Sequence, residues 1–202
     1  MVLASPVAPA MAAKLTVLAL GDSLTAGYGL APEQGFVPQL QAWLQAQGQD
    51  VVVENAGVSG DTTAGGLARL DWSLTPDTSA MIVNLGGNDL LRGLPPAEAA
   101  ANLDKILATA QSRHLPVLLV GLKALNNFGP DYKTEFDAIY PALARKYHTL
   151  YIEDYFGPLK TSQADLAAAL QSDGLHPNAA GVVKIVNAMG PDVVTLLAEV
   201  KK

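Results

Sequence analysis

Short apolar runs alternate five times with segments of helical spacing, and this alternation constrains the fold more than any other feature. The first run, Thr16–Leu20, ends abruptly in Gly21-Asp22-Ser23. An apolar run bounded by turn residues is typical of a strand buried on both faces. Alternating strands and helices form parallel sheets with helices on both faces. We therefore expect one three-layer α/β/α domain with a five-stranded parallel sheet in the flavodoxin-like order 2-1-3-4-5.

Apolar periodicity and capping residues set the expected element bounds. Strands are predicted at 16–20, 51–55, 81–85, 117–120 and 150–152, and helices at 36–47, 62–74, 95–113, 131–146, 162–171 and 178–201. Asp61 or Thr62 can cap the second helix, and Asn178 can cap the last. The segments Gly86–Asp89 and Asp173–Asn178 are predicted to be loops.

Composition excludes several classes of function. Half of the 202 residues are apolar and 16% are charged, so the chain is not disordered. A net charge of −6 without a basic run argues against nucleic acid or anionic membrane partners. There are no cysteines, and the three histidines lack ligand spacing, so we expect neither a metal nor another cofactor. No apolar run reaches the roughly 18 residues of an integral membrane span.

The first 13 residues differ from the rest of the chain. Residues 1–13 are small and apolar, contain proline, and include an A-x-A pattern at Ala10-Met11-Ala12. This pattern favours the tail of a secretory signal, with a disordered or packed leader as the alternative. We expect a leader at 1–13 and a single domain at 14–202, in a periplasmic or secreted protein, or otherwise a cytoplasmic one.

Two loops carry candidates for nucleophilic catalysis. Ser23 follows the first strand, at the sheet edge where open α/β folds bind ligands, and it can act as a nucleophile if a base reaches it. His176 is the best candidate base, because it alone among the histidines lies on a loop bounded by glycine and proline. Asp173, three residues earlier, can orient the imidazole. Taken singly, each residue also fits an ordinary turn or cap.

Two further turns carry candidate hydrogen-bond donors. Gly60 would allow close approach of a substrate to its backbone N–H, and Asn88 would offer a side-chain amide. Together with the Ser23 N–H, they could form an oxyanion hole. Each is also an ordinary loop residue when considered alone.

The combination of these motifs is more specific than its parts. Gly-Asp-Ser-Leu, Ser-Gly-Asp-Thr, Gly-Gly-Asn-Asp and Asp-x-x-His-Pro occur in this order. Over nearly all of residues 15–200, the chain resembles the SGNH (GDSL-type) hydrolase superfamily. Three segments look most like the bacterial multifunctional thioesterase I/lysophospholipase/arylesterase group: Gly21–Tyr28, Asn55–Leu70 and Leu85–Gly93.

The resemblance implies a serine hydrolase whose catalytic residues are Ser23, Asp173 and His176, with Ser23, Gly60 and Asn88 as the oxyanion hole. It implies hydrolysis of small acyl esters or thioesters through a serine ester, without a cofactor. Residues expected to contact the substrate are Asp22, Leu24, Leu90, Leu91 and Leu94, although these leucines could simply cover the core. A carbohydrate acetyl-esterase and a flavodoxin-like ligand-binding module remain alternatives, and the oligomeric state stays open.

Overall fold

The computed structural model describes residues 14–200, so the leader expected at 1–13 lies outside the described residues. The strands are β1 (Leu15–Gly21), β2 (Val51–Gly57), β3 (Thr78–Asn84), β4 (Val117–Val120) and β5 (Leu150–Ile152). All pairings are parallel, and the order β2-β1-β3-β4-β5 confirms the predicted topology.

Helices of very different length connect the strands. They are α1 (Ser23–Ala26), α2 (Phe36–Ala46), α3 (Thr63–Ala68), α4 (Leu70–Ser73), α5 (Gly87–Leu91), α6 (Pro96–Ser112), α7 (Pro130–Tyr147), α8 (Gln163–Ala169) and α9 (Ala179–Glu199). Three short 3₁₀ turns lie at Pro32–Gln34, Asn126–Phe128 and Gly157–Leu159.

The helices form two layers, one on each face of the sheet. α2 and α9 pack together on one face, while α3, α6 and α7 cover the other. The central strands β1 and β3 are almost fully buried between these layers, as their continuous apolar runs predict. The core therefore lies on both faces of the sheet, and the carboxyl ends of the strands meet at one exposed edge.

Several element bounds differ from the predicted ones by up to three residues, the largest shift being at β3, which begins at Thr78 rather than Met81. Two assignments were wrong in kind. The helix expected at 62–74 is divided in two at Arg69, whose guanidinium turns back to Asp61 and to the Gly21 carbonyl. The segment Gly86–Asp89 is not a loop, because α5 begins at Gly87. Gly86 has φ 115° and lies against the Tyr140 hydroxyl, so only glycine can make this abrupt turn from strand to helix.

Among the described residues, α9 alone is long and apolar enough to cross a membrane, with a mean hydropathy of 1.4. Half of that stretch is buried inside the fold, where the helix packs against α2. A core helix of a soluble domain has the same composition, so α9 gives no evidence of a membrane span.

Candidate active site

Ser23 lies at a sharp turn from strand to helix. β1 ends at Gly21, and α1 begins with Ser23 itself rather than after a longer loop. Asp22 caps this helix, its carboxylate accepting the Leu24 N–H at 3.0 Å. A Cβ at Gly21 would collide with Thr25 and with the Asn84 carbonyl, so glycine is required where the chain turns. This turn holds the Ser23 hydroxyl at the carboxyl edge of the sheet.

The structure brings Ser23, His176 and Asp173 into one hydrogen-bonded chain. His176 Nε2 lies 2.8 Å from Ser23 Oγ, and His176 Nδ1 lies 2.7 Å from Asp173 Oδ2. Because an ionised carboxylate only accepts hydrogen bonds, Nδ1 carries the hydrogen when the imidazole is neutral. Nε2 is then free to accept the hydrogen of the Ser23 hydroxyl.

Asp173 is held in its charged form. Its hydrogen bond with the His176 ring, together with the N–H groups of Leu175 and His176, lowers the pKa of its carboxyl to about 2. Gly174, with φ 68°, lets the chain turn back so that one short loop presents both the carboxylate and the imidazole. The loop therefore supplies an ionised carboxylate at neutral pH.

The histidine loop, residues 173–178, is hydrogen-bonded to the end of α8. The Asn178 side-chain amide donates to the carbonyls of Ala168 and Leu170, while its oxygen accepts the Gly181 N–H and caps α9. Pro177 also forms an isolated antiparallel bridge with Leu170. The predicted cap at Asn178 therefore begins α9 and fixes the segment next to His176.

Asn88 lies in the first turn of α5, beside the serine. Its Nδ2 donates to the Asp61 carbonyl at 2.9 Å and lies 3.5 Å from Asp22 Oδ2. The next residue, Asp89, is buried and accepts hydrogen bonds from the Thr63 N–H and hydroxyl at 2.8 and 2.6 Å. This pair fastens α5 to α3 and so fixes the position of Asn88.

Gly60 lies in the turn after β2 and contacts Arg92. It adopts φ 87°, and its carbonyl accepts a hydrogen bond from Arg92 Nη2 at 2.8 Å. Ser23 and Asn88 line the cleft at the sheet edge, whereas Gly60 is not among its lining residues. Over residues 14–200, no backbone carbonyl accepts the N–H of Ser23 or of Gly60.

Asp22 forms part of the buried floor beneath the serine. Only 2% of its surface is exposed, and burial raises the pKa of its carboxyl to about 6. The Leu24 N–H and the His176 ring oppose this rise, whereas the charge of Asp89 adds to it. The Asp22 carboxyl therefore titrates closer to neutrality than an ordinary aspartate.

A cleft of about 210 Å³ opens beside Ser23 and His176. Of the predicted substrate contacts, Asp22, Leu24, Leu90 and Leu91 line it, but Leu94 does not. The Leu94 carbonyl instead accepts a hydrogen bond from the Tyr132 hydroxyl at 3.0 Å. Sequence reasoning missed most of the apolar wall, which comprises Leu122, Leu125, Phe156, Leu166, Leu170 and Leu175.

Two residues that touch the histidine loop were also missed. The Tyr28 ring packs against the His176 imidazole, and the Gln171 side chain reaches the Tyr28 carbonyl. Tyr28 lies within the motif segment Gly21–Tyr28 and could have been singled out there, whereas nothing in the sequence marks Gln171. No cluster of three or more potential ligand side chains that could hold a metal ion occurs within the described range.

The fold and this site define a class of protein: a three-layer α/β domain with a Ser–His–Asp chain at the carboxyl edge of its sheet. A family model for GDSL-like lipases and acylhydrolases matches residues 19–183. The chain therefore belongs to the GDSL-like lipase/acylhydrolase family, and the resemblance inferred from its motifs is confirmed.

Individual relatives cover most of the chain. Esterase TesA of Pseudomonas aeruginosa is 38% identical over 92% of this chain and 91% of its own length. Thioesterase 1/protease 1/lysophospholipase L1 of Escherichia coli K12 is 36% identical over 83% of this chain and 77% of its own. The crystal structure of AlinE4, an SGNH-hydrolase family esterase, is 44% identical with a TM-score of 0.75, covering 93% of this chain and 99% of that one.

Proposed function

We propose that this chain is a serine esterase that hydrolyses carboxylic esters and thioesters through an acyl-enzyme on Ser23. The observation that carries this proposal is the pair of hydrogen bonds that joins Ser23, His176 and Asp173, at 2.8 and 2.7 Å. Relatives that bear the names esterase and thioesterase support the same reaction class. The catalytic roles below follow from the geometry of these side chains.

The reaction proceeds in two steps. Ser23 Oγ attacks the acyl carbon while its proton passes to His176 Nε2, and the ionised Asp173 stabilises the resulting imidazolium. Collapse of the tetrahedral intermediate breaks the bond to the leaving oxygen or sulfur, which takes the proton from Nε2. Water then attacks the acyl-enzyme, His176 accepts its proton, and return of that proton to Oγ releases the carboxylic acid.

Three donors stabilise the oxyanion in this proposal: the N–H groups of Ser23 and Gly60 and the amide of Asn88. One hydrogen of Asn88 Nδ2 is bonded to the Asp61 carbonyl at 2.9 Å. The 3.5 Å contact with Asp22 is at the limit of a hydrogen bond, so the second hydrogen remains available to a substrate oxygen. The backbone N–H groups of Ser23 and Gly60 have no backbone acceptor in the described chain and suit the same role.

The cleft indicates the acyl group. Its wall is mainly leucine, and its volume of about 210 Å³ is smaller than the ~300–1,000 Å³ of sites for drug-sized ligands. We therefore place a short to medium acyl chain against Leu24, Leu90 and Leu91. An apolar wall of this kind argues against a preference for acetyl groups on carbohydrate, and membership of an acylhydrolase family argues against the flavodoxin-like alternative.

Two measurements test this function. A fluorophosphonate probe should label the wild-type protein but neither Ser23→Ala nor heat-denatured protein. The value of kcat/KM should then be measured for p-nitrophenyl esters of increasing acyl length, with an acyl-CoA and a lysophospholipid alongside. Activity should peak at a short or medium ester; a protein that is folded but neither labelled nor active on any ester would overturn the proposal.

The remaining expectations about the chain stay proposals. They are a leader at 1–13, a single hydrolase domain at 14–202, a periplasmic or secreted location, and the absence of nucleic acid partners and integral membrane spans. Expression of the full chain in a bacterial host tests the first and third together. N-terminal sequencing of the mature protein should find cleavage after Ala12 or Ala13 and recovery from the periplasm, whereas an intact N-terminus in the cytoplasm would contradict both.

A further inference from the structure

The catalytic serine and histidine come from loops that are 153 residues apart in sequence. A single hydrogen bond between two such loops fixes neither the tilt of the imidazole nor its distance from the serine. Asp173 holds only one ring nitrogen and belongs to the same loop as His176. We call residues 23–29, which include α1, the serine loop. Contacts that join the serine loop to the histidine loop independently of this bond therefore matter for catalysis.

Gln171 makes such a contact. Its Nε2 donates to the Tyr28 carbonyl at 2.8 Å and to the Pro177 carbonyl at 3.0 Å. Its backbone N–H donates to the His176 carbonyl at 2.7 Å. One residue thus joins the end of the serine loop to both His176 and the residue that follows it.

The backbone of the serine loop is shaped to admit this side chain. Gly29 adopts φ 74°, and a Cβ at that position would collide with Gln171 Oε1. Any other residue at 29 would push the amide away from the Tyr28 carbonyl. The Tyr28 N–H in turn donates to the Ser23 carbonyl at 3.1 Å. The residue whose carbonyl binds Gln171 is therefore hydrogen-bonded directly to the backbone of Ser23.

The Tyr28 ring covers one face of the imidazole. The centroids of the Tyr28 and His176 rings are 4.7 Å apart, and the planes are inclined by 39°. Asp173 and Ser23 contact the ring at its edge, through its two nitrogens, and do not limit tilting out of the plane. An aromatic face packed on the imidazole limits this tilt, and it favours the imidazolium that forms during attack.

We propose that Tyr28 and Gln171 form a clamp that positions the His176 imidazole on the Ser23 hydroxyl. Both are positioning residues, because they act through His176 rather than on the substrate. Gln171 fixes the Tyr28 backbone relative to the histidine loop, and Tyr28 fixes the ring of His176. The clamp rests on the proposed function, because its value to the protein is the alignment of the acyl-transfer groups.

The test compares four variants with the wild type on one p-nitrophenyl ester. Tyr28→Leu and Gln171→Met should each lower kcat by about 10-fold, because a misplacement of about 1 Å can cost roughly 10²-fold and we expect a smaller displacement of the ring here. Their KM should stay within about twofold, since neither residue is assigned to the acyl cleft. Tyr28→Phe keeps the ring and should retain wild-type kcat. The double variant Tyr28→Leu/Gln171→Met should lose less than the product of the single losses.

Gln39→Met is the matched control for Gln171→Met. Gln39 is also half-buried, and its Nε2 donates to a backbone carbonyl, that of Glu33, at 2.8 Å on α2. It should leave kcat unchanged. Three results would each overturn the clamp: wild-type kcat in both Tyr28→Leu and Gln171→Met, a loss confined to KM, or a Tyr28→Phe variant as slow as Tyr28→Leu.

Proton NMR provides a readout that does not depend on hydrolysis. The chain has three histidines, so the Cε1–H resonance of His176 can be assigned by comparison with His176→Ala. The ring-current shift from Tyr28 should disappear in Tyr28→Leu and shrink in Gln171→Met, and it should persist in Tyr28→Phe. An unchanged resonance in Tyr28→Leu would overturn the clamp even if the wild type were inactive. Inactivity of a wild type with the expected shifts would overturn the esterase proposal alone.

Discussion

Two aspartates flank the same serine–histidine pair in opposite environments. Asp22 lies on the buried floor of the site, where burial raises the pKa of its carboxyl to about 6. Asp173 lies on the histidine loop with 35% of its side chain exposed, and the His176 ring lowers the pKa of its carboxyl to about 2. The chemical group is identical, so the difference comes from solvation and partners alone.

The comparison separates two roles for a carboxylate near a nucleophile. Asp173 has a ring N–H and two backbone N–H donors, so its charge is stabilised and available to an imidazolium. Asp22 has one backbone donor at 3.0 Å and a marginal contact with Asn88, so its charge is poorly stabilised. We infer that Asp173 serves the reaction as an anion, whereas Asp22 serves the turn that presents Ser23.

The largest expected effect comes from removal of the base on the histidine loop. His176→Ala should lower kcat by about 10⁶-fold, as loss of the base does in comparable triads. Its free energy of unfolding should fall modestly, because the variant removes the ring that stabilises the Asp173 carboxylate. Stopped assays with p-nitrophenyl butyrate and urea unfolding measure the two quantities. A loss below about 100-fold would mean that another group accepts the Ser23 proton.

Asp173→Asn tests the exposed member of the pair of aspartates. The amide cannot accept the Nδ1 hydrogen as a carboxylate does, so the imidazole adopts the wrong tautomer and kcat should fall by about 10⁴-fold. The matched variant Asp22→Asn should lower kcat far less if the two roles are distinct. Measurement of kcat at one pH near 8 is sufficient. Equal losses in the two variants would contradict the separation of roles.

Asn88→Ala tests the side-chain amide that we propose as an oxyanion donor and that lies beside the buried Asp22. Removal of one oxyanion donor should lower kcat by roughly 10²–10³-fold with little change in KM. The variant also frees the Asp61 carbonyl, so its unfolding midpoint should be measured in parallel. An increase in KM at constant kcat would show that Asn88 binds the ground state rather than the oxyanion.

The smallest effect concerns stability, and its sign differs between the two aspartates. The folded-state pKa of Asp22 lies above the ordinary value of 3.8, because the buried carboxyl favours its neutral form. The folded protein therefore keeps its full stability below about pH 3.8 and loses part of it as pH rises through about 6 and the buried group ionises. The difference corresponds to about 3 kcal/mol at about 1.36 kcal/mol per pH unit. Asp22→Asn should therefore raise the free energy of unfolding at pH 8 by up to about 3 kcal/mol, less the cost of weakened capping.

Asp173 should show the reverse dependence. Its folded-state pKa lies below 3.8, so its contribution is present above 3.8 and is lost as pH falls through about 2. Urea unfolding of Asp173→Asn at pH 2 and pH 5, and of Asp22→Asn at pH 4 and pH 8, compares the two sites, with the exposed variant Asp77→Asn as the control at each pH. If Asp22→Asn does not gain stability relative to the wild type between pH 4 and pH 8, the buried charge is better compensated than the structure indicates.

The fold was predictable because its signals are local. The run Thr16–Leu20 and its four successors mark buried strands, and the alternation with amphipathic segments leaves few topologies. The strand order and the family are confirmed. Ser23, Asp173 and His176 were also predictable as a set, because each lies in a short motif at a strand or helix end and the structure brings them within hydrogen-bonding distance.

The parts that were missed depend on long-range contacts. Gly86 turns the chain into α5, where a Cβ would collide with the hydroxyl of Tyr140, a residue far away in the chain. The apolar wall of the cleft comes from segments far apart in sequence, including α8 and several loops. Leu94 does not line the cleft, and its carbonyl accepts a hydrogen bond from Tyr132. Gln171 carries no motif at all. The role of such residues can be inferred only from the three-dimensional structure, which shows the distant segments that they join.

The separation of 153 residues between the serine and the histidine also has a consequence for biosynthesis. The ribosome makes the proposed nucleophile 153 residues before the proposed base, so the emerging polypeptide carries the Ser23 hydroxyl before His176 exists to accept its proton. A contact over such a separation also requires an entropic cost of loop closure to be met before it stabilises the chain. In the proposed mechanism, a polypeptide that ends before His176 lacks the base and cannot transfer acyl groups through Ser23.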